Sequence, residues 1–358
     1  MARIQDVARH ANVSVSTVSY VLSGKRPISA ATRDRVRASI EILGYRPQSG
    51  SPGLLAKRRT NVLALAMPLR AGVHLPVAMQ FLASVVARAR ELDYDVLMLS
   101  RDEGDNGLQR VQEKTLADVL LVHDIERHDS RLSFLRTLRT PSVLVGLPAS
   151  TAGLTCVDLD YKAAGGAAVE HLVDLGHRKI GVVGCPAVVY RREASHATRL
   201  LAGIRDAAQL RRVQATAEPC EPTPAGLEQT LSFFLDRNPD TTALIVHNEA
   251  VVEGVIAALT RRGRRVPDDI SVLVVGPEDL SRRFDVSTVA IPTGKIGRRA
   301  VEIALDKLRG EDVPAATLLT PRLVDRGSTA VRTTHRPAST LTRPSRMVSR
   351  GGLAAAAG

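Results

Sequence analysis

The chain has no tryptophan, and aromatic residues fill only 3% of its 358 positions. Any large core must therefore be built from Ala, Val, Leu and Ile, and an apolar content of 44% is enough for one. Cysteine is scarce: Cys156, Cys185 and Cys220 are odd in number and far apart. That argues against a disulfide framework or a zinc cluster and for a reducing cytoplasm, with each thiol a small apolar filler. No apolar run approaches the roughly 20 residues of a membrane span. Met1-Ala2-Arg3 leads directly into an amphipathic stretch with no apolar h-region, so no secretory signal is expected. Catalytic signatures are missing as well. There is no G-x-G-x-x-G at a strand–helix turn, since Gly181-Val-Val-Gly184 has the wrong spacing, and no phosphate loop, CxxC or HExxH. The histidines, His123, His128 and His177 among them, are scattered, and His177 reads as a turn residue entering a strand. No matched constellation supports an enzyme, and neither a cofactor nor a metal is expected.

Acidic charge is scarce at both ends. Residues 1–60 hold eleven Lys and Arg against Asp6, Asp34 and Glu41, a net of +8. Residues 331–358 hold five Arg and no acid, so the 270 residues between carry only −1 of the chain's +12. A polyanion docking on the N-terminal segment explains this placement, whereas a general need for solubility does not. That segment begins IQDVARHANVSVSTVSYVLSG, from Ile4 to Gly24. Ile4, Val7, Ala8 and Ala11 fall on one face of a first helix. Ala11-Asn12-Val13 makes a turn and Ser14 caps a second helix, in which Val18, Val21 and Leu22 form the apolar side. Its other face carries Ser16 and Tyr20, with Thr17 alongside, and Gly24 ends it. A third helix starts near Ser29 and carries Val36, Ile40 and Leu43 on one face, with Gly44 behind. This is helix-turn-helix spacing, the shape that enters a DNA major groove.

The middle alternates short apolar strands with helices. Strands are expected at 62–67, 96–99, 119–123, 143–145, 180–183, 243–247 and 272–275. Helices are expected around Leu82 to Ala89 and at 106–115, 166–175, 197–209, 225–236, 250–262 and 295–309. Continuous apolar strands between helices imply an α/β fold with parallel sheets covered on both faces. Two such units in succession suggest two lobes, with ligands bound beyond the carboxyl ends of the strands.

Together these motifs resemble the lactose-repressor/galactose-repressor family of bacterial transcription regulators, from about Ala2 to Thr329. The resemblance is carried by IQDVARHANVSVSTVSYVLSG, ATRDRVRASIEILGYRP, HLVDLGHRKIGVVG, RRVPDDISVLVVG and IGRRAVEIALDKLRGE, in order and spacing. It implies a helix-turn-helix headpiece at 1–46, a hinge at 47–60 and a periplasmic-binding-protein-like effector and dimerisation domain at 61–330. Lobe one would hold about 61–159 and 288–318, and lobe two about 160–287 and 319–330, with 331–358 a disordered tail. The expected function is a cytoplasmic, nucleoid-associated homodimeric repressor. It would read a near-palindromic DNA operator under a small-molecule effector, most simply a sugar. An effector-independent regulator is the alternative. A sugar-binding transport protein would share the lobes, but would carry a signal peptide and no helix-turn-helix.

The resemblance places functional residues, and this chain departs from the family pattern at several. Val15, Ser16 and Tyr20 are the expected base readers, with Ser14, Thr17 and Ser19 as phosphate contacts or caps. Many relatives carry Arg where this chain has Tyr20, so its site should not be read through an Arg–guanine contact from that position. In the hinge, Leu54 takes the place of the leucine that wedges into the minor groove. Ser51-Pro52-Gly53 precedes it, and Gly53 costs about 1 kcal/mol relative to Ala in a helix, so the hinge should depend on DNA to fold. Lys57, Arg58 and Arg59 stand in for a missing arginine contact. In the cleft the matching positions are Asp160-Tyr161, Asn248-Glu249 and Glu278, joined by Arg101 and Asp102 at the end of the second strand. The family's helical arginine falls on Leu200, with Arg199 one place earlier, and one residue turns a helical side chain by about 100°. Arg199 is still counted among the expected effector contacts, although that shift turns it from the direction the family's arginine takes. Two outcomes stay open: an unusual sugar or nucleoside effector, or a cleft that has lost its effector.

Overall fold

A computed structural model of the protein describes residues 3–23, 26–45 and 59–332. Expectations placed on Gly24, on the hinge residues Leu54 and Lys57 and on the tail after Arg332 lie outside the described residues. The chain divides into a small N-terminal unit ending at Val62 and a larger unit beginning at Leu63.

The small unit holds α1 (Ile4–His10), α2 (Val15–Ser23) and α3 (Ala30–Ile42). Its core is Val7, Ala8, Ala11, Val18 and Val36, flanked by Ile4, Val13, Val21, Ile40 and Leu43. The turn between α1 and α2 is sharp because Asn12 takes a left-handed φ of 50°, which Asn tolerates better than most residues. Ser14 caps α2: its Oγ accepts from the Thr17 amide at 3.1 Å. Ser29 caps α3 through the Thr32 amide at 3.3 Å. One apolar assignment differs, because Leu22 is 39% exposed rather than packed inward.

The large unit contains two six-stranded sheets. The first lobe runs β1 (Val62–Ala66), α4 (Leu75–Glu91), β2 (Asp95–Leu99), α5 (Gly104–Glu113), β3 (Val119–His123), α6 (Leu132–Leu135), β4 (Ser142–Val145) and β5 (Cys156–Leu159). The second lobe begins with α7 (Tyr161–Asp174), β6 (Lys179–Gly184), α8 (Ala187–Arg191), α9 (Ser195–Leu210), β7 (Gln214–Pro219), α10 (Pro224–Leu235) and β8 (Ala243–Val246). It continues with α11 (Val252–Arg261), β9 (Ser271–Pro277), α12 (Glu278–Arg283) and β10 (Ser287–Ile291). The chain then returns to lobe one as α13 (Thr293–Arg309) and β11 (Ala316–Leu319), and ends in lobe two with β12 (Arg322–Val324).

Strand order is β11-β5-β4-β3-β1-β2 in one sheet and β12-β10-β9-β8-β6-β7 in the other. The pairs from β11 to β1 in the first sheet and from β10 to β7 in the second are parallel, and β10–β12 is antiparallel. The lobe boundaries differ slightly from those expected. All of β10 lies in the second sheet, so the second crossover comes at Pro292 rather than at 287/288. Leu319 still belongs to β11, which puts the third crossover at Thr320-Pro321. No helix among the described residues is long and apolar enough to cross a membrane.

Strands β5, β7, β10, β11 and β12 carry no continuous apolar run, and sequence periodicity missed them. β7 and β11 are edge strands with no fully buried position. β10 starts with two buried hydroxyl residues, which stay satisfied because Ser287 Oγ donates to Asp325 at 2.7 Å and Thr288 Oγ1 to the Val274 carbonyl at 3.0 Å.

Helices α7 and α9 pack closely because both carry glycine at the contact. A Cβ on Gly203 would overlap the Lys162 carbonyl, and one on Gly165 the Leu200 carbonyl, whereas Gly166 faces open space. Gly203→Ala should therefore destabilise the large unit by about 2 kcal/mol through overpacking. Gly166→Ala should instead stabilise it by up to about 1 kcal/mol through helix propensity. Urea midpoints followed by far-ultraviolet circular dichroism separate the two; equal effects would contradict the close packing.

Candidate functional site

In the small unit, burial of Val18 turns the opposite edge of α2 outward. Val15 is 43% exposed and Ser16 lies beside it. The Ser14 hydroxyl lies 2.8 Å from Thr17 Oγ1 and 3.2 Å from Ser16 Oγ, so these three expected DNA contacts form one local hydroxyl cluster. Ser19 and Tyr20 are half-buried. The Arg26 guanidinium stands over the Tyr20 ring, 5.3 Å from its centroid. Arg26 was not singled out in the sequence, because no helical spacing links it to Tyr20. The pairing places a guanidinium beside a helix that carries no arginine of its own.

In the large unit, a cavity of about 150 Å³ opens where the carboxyl ends of both sheets face each other. Its apolar wall includes Val73, Val77, Phe81, Ile125, Ile291 and Ile296. Its polar lining comes from the ends of strands and the loops after them: His123 and Asp124 after β3, Asp158 in β5, Tyr161 at the start of α7, Glu249 after β8. Arg192 comes from the α8–α9 connection, Ser195 and His196 from the first turn of α9, and His74 from the loop after β1. The rings of Tyr161, His196 and His247 form a triangle with centroids 5.8 to 6.2 Å apart. Phe81 stacks on His123 at 4.7 Å.

A charge network surrounds this cavity. Asp124 is shared: its Oδ1 lies 2.9 Å from Arg192 Nη1 and its Oδ2 3.4 Å from Arg70 Nη1. Arg70 also grips Asp102 in two bonds of 2.8 and 3.0 Å and reaches Glu126 at 3.1 Å. Buried Arg131 pairs with Asp129 at 2.7 Å and donates to the Asp124 carbonyl at 3.1 Å, which fixes the loop that carries Asp124. Burial works to raise the Asp124 pKa, but Arg192 and the neighbouring imidazoles hold it below the usual carboxylate value. Asp158 goes the other way: burial pushes it up to about 7 although Arg199 lies 2.8 Å away. Burial also raises Glu249, and it lowers the imidazoles, with His196 at about 4 and His247 at about 3. Burial thus disfavours charge on Glu249 and on the imidazoles of the lining, whereas the arginines beside Asp124 favour its charged form.

Of the cleft residues expected from sequence, Tyr161 and Glu249 line the cavity. Arg199 lies behind it, its guanidinium on Asp158 at 2.8 Å and Asp160 at 3.5 Å, while Leu200 is fully buried. Arg199, expected among the effector contacts, therefore does not line the cavity, and the one-residue shift accounts for its direction. Asp160 does not reach the cavity either, since it caps α7 through the Ala163 amide at 3.1 Å. Asn248 is tied up at both ends: Nδ2 donates to the Cys220 carbonyl at 2.7 Å and Oδ1 accepts from the Ala250 amide at 3.2 Å. Glu278 pairs with Arg326 at 3.2 Å and with Arg322, and so fastens the strand after the third crossover. Arg101 and Asp102 border a separate small hollow beside Arg131. His123, Asp124, Arg192 and His196 were missed. The first two do follow the rule that ligands gather at strand ends, but Arg192 lies in a short connection and His196 in the first turn of α9, just ahead of the helix expected at 197–209.

A family model for bacterial regulatory proteins of the lacI family matches residues 3–48, and one for a periplasmic binding protein-like domain matches 169–329. The chain is 28% identical over 344 residues to the HTH-type transcriptional repressor CytR of Escherichia coli (strain K12), covering 92% of this chain and 96% of that protein. Among solved structures, the Lac repressor bound to ONPG in its repressed state is 25% identical, with a TM-score of 0.65 over 92% of this chain and 99% of that one. The transcriptional regulator CelR–cellobiose complex is 24% identical, with a TM-score of 0.62 over 92% of this chain and 100% of that one, a likeness of fold.

The buried His247, 2% exposed, makes a pH prediction. Below about pH 6.5 the unfolded chain protonates this imidazole, while the folded chain keeps it neutral down to about 3. Stability from this group is therefore present above pH 6.5 and is lost on acidification, by about 1.4 kcal/mol per pH unit. His247→Gln should reduce the slope of unfolding free energy against pH between 6.5 and 4.5 by about that amount. An unchanged slope in denaturant titrations would contradict it.

Proposed function

The chain belongs to the lacI family of bacterial regulatory proteins and is a DNA-binding transcriptional repressor; on that premise we propose that a small, uncharged, hydroxyl-bearing metabolite binds in the interlobe cavity and sets its grip on DNA. The observation that carries this reading is the cavity itself: an apolar wall opposed by Tyr161, Glu249, Asp124, Arg192 and His196 at the carboxyl ends of two parallel sheets. Apolar walls with a few convergent polar groups are the usual form of a small-molecule site. A sugar or nucleoside suits it, because burial disfavours charge on Glu249 and on the imidazoles alike.

On the DNA side, Val15, Ser16 and Tyr20 read base edges, Ser14, Thr17 and Ser19 contact phosphates, and Arg26 adds the cation that α2 lacks. Leu54 as a minor-groove wedge and Lys57 as its phosphate contact complete the reading from sequence. The protein works as a homodimer on a near-palindrome in the bacterial cytoplasm, at the nucleoid. An apolar stripe on α4 supports a second copy: Leu75, Met79 and Val86 are 50%, 37% and 43% exposed along one side of that helix. No catalytic step is assigned to the chain.

A thermal-shift panel of sugars, polyols and nucleosides tests the effector. A binder at 100 times its Kd stabilises by about 2.7 kcal/mol and raises the melting temperature. The same compound should change operator affinity. Glu249→Gln and Tyr161→Ala should diminish the shift, whereas Glu278→Gln should leave it intact. A panel with no stabilising compound, or a shift that survives both cavity variants, would contradict the reading.

A further inference from the structure

We infer that Arg192 is the residue that sets the state of the cleft, because it holds the two lobes together through the protein's own groups. This rests on the regulatory reading above, which it deepens. Arg192 belongs to lobe two, at the end of α8, yet its Nη1 lies 2.9 Å from Asp124 and 3.7 Å from Glu126, both in lobe one. The pairing is largely shielded from water: the side chains of Arg192 and Asp124 are 14% and 5% exposed. Its Nε and Nη1 are both buried and meet no partner in hydrogen-bonding geometry among the described residues, so the contact to Asp124 is an ion pair, and the side chain lines the cavity.

The backbone beside it is joined across the same seam. The Arg127 amide donates to the Glu193 carbonyl at 2.8 Å, and the Ser195 amide to the Ile125 carbonyl at 2.9 Å. These two bonds form an antiparallel bridge between Glu126 and Ala194. The Ser195 hydroxyl adds a bond to the Leu147 carbonyl. Both strands of the bridge are set up by a left-handed residue that is not glycine, Asp124 at φ 59° and Glu193 at φ 51°. Such conformations persist where surrounding contacts enforce them. Nearby, Gly72 in lobe one comes so close to α8 that a Cβ there would lie 2.8 Å from Val189 and 3.0 Å from Val188.

The seam and the cavity therefore share groups. Asp124 is the carboxylate a ligand hydroxyl would seek, and it is also the anchor of Arg192. A ligand that bonds Asp124 competes with Arg192 and loosens the seam, whereas one held by Tyr161 and Glu249 leaves the seam closed. Which cavity groups a ligand uses then decides whether it opens or keeps the closed form, and only differential affinity for the two forms shifts the equilibrium.

Small-angle scattering of the full-length protein tests the assignment, paired with titration of its selected operator. Arg192→Ala should raise the radius of gyration and change operator affinity at least about 5-fold, the low end of ordinary allosteric coupling. The charge reversal Arg192→Glu should open the lobes as well, and the double variant Arg192→Glu with Glu126→Arg should close them again. Should Arg192→Ala fail to fold by circular dichroism, Arg192→Lys keeps the charge but loses the guanidinium's reach, and should give a partial opening. An Arg192 variant as compact as the unmodified protein overturns the latch. Opening without any change in operator affinity keeps the latch and overturns its link to DNA binding.

Discussion

A carboxylate buried as deeply as Asp124 needs cations beside it, and this molecule supplies them from both lobes. Arg70 comes from lobe one and Arg192 from lobe two, at 3.4 and 2.9 Å. Taking a charge out of water is costly, and leaving one partner unpaired is costlier still, so both lobes are constrained by one acid. Arg131 and Asp129 hold the loop in place from below, and Asp102 keeps Arg70 aligned. The cavity, the interlobe bridge and the approach of Gly72 to α8 all depend on this one cluster staying paired.

The sequence made the architecture legible wherever strands are buried on both faces. The runs that became β1, β3, β8 and β9 are apolar over most of their length and could be placed within a residue or two. Edge strands such as β7 face solvent on one side and lose that signal. β5 was hidden by Asp158, a charged residue in a fully buried strand, whose position makes sense only once Arg199 is seen beside it.

The site was less legible than the fold. Tyr161 and Glu249, chosen by position relative to a strand end, line the cavity, whereas Asn248 and Glu278, chosen by polarity, satisfy local backbone and surface cations. Arg192 and Asp124 lie 68 positions apart in sequence and belong to different lobes, and no motif spacing joins them. The Tyr20–Arg26 stack has the same character, since a turn has to fold before the ring and the guanidinium meet. In each case the missing information is tertiary: a pair of charges, or a ring and a cation, brought together by the chain's path.

The interlobe bridge offers the most direct measurement. The amides of Arg127 and Ser195 donate only across the seam, to Glu193 and Ile125. Hydrogen exchange followed at these two sites should show strong protection, with one common protection factor for both amides because a single opening event frees both. Exchange as fast as in exposed loops, or clearly different protection factors at the two amides, would contradict a cleft held shut by its own ion pairs.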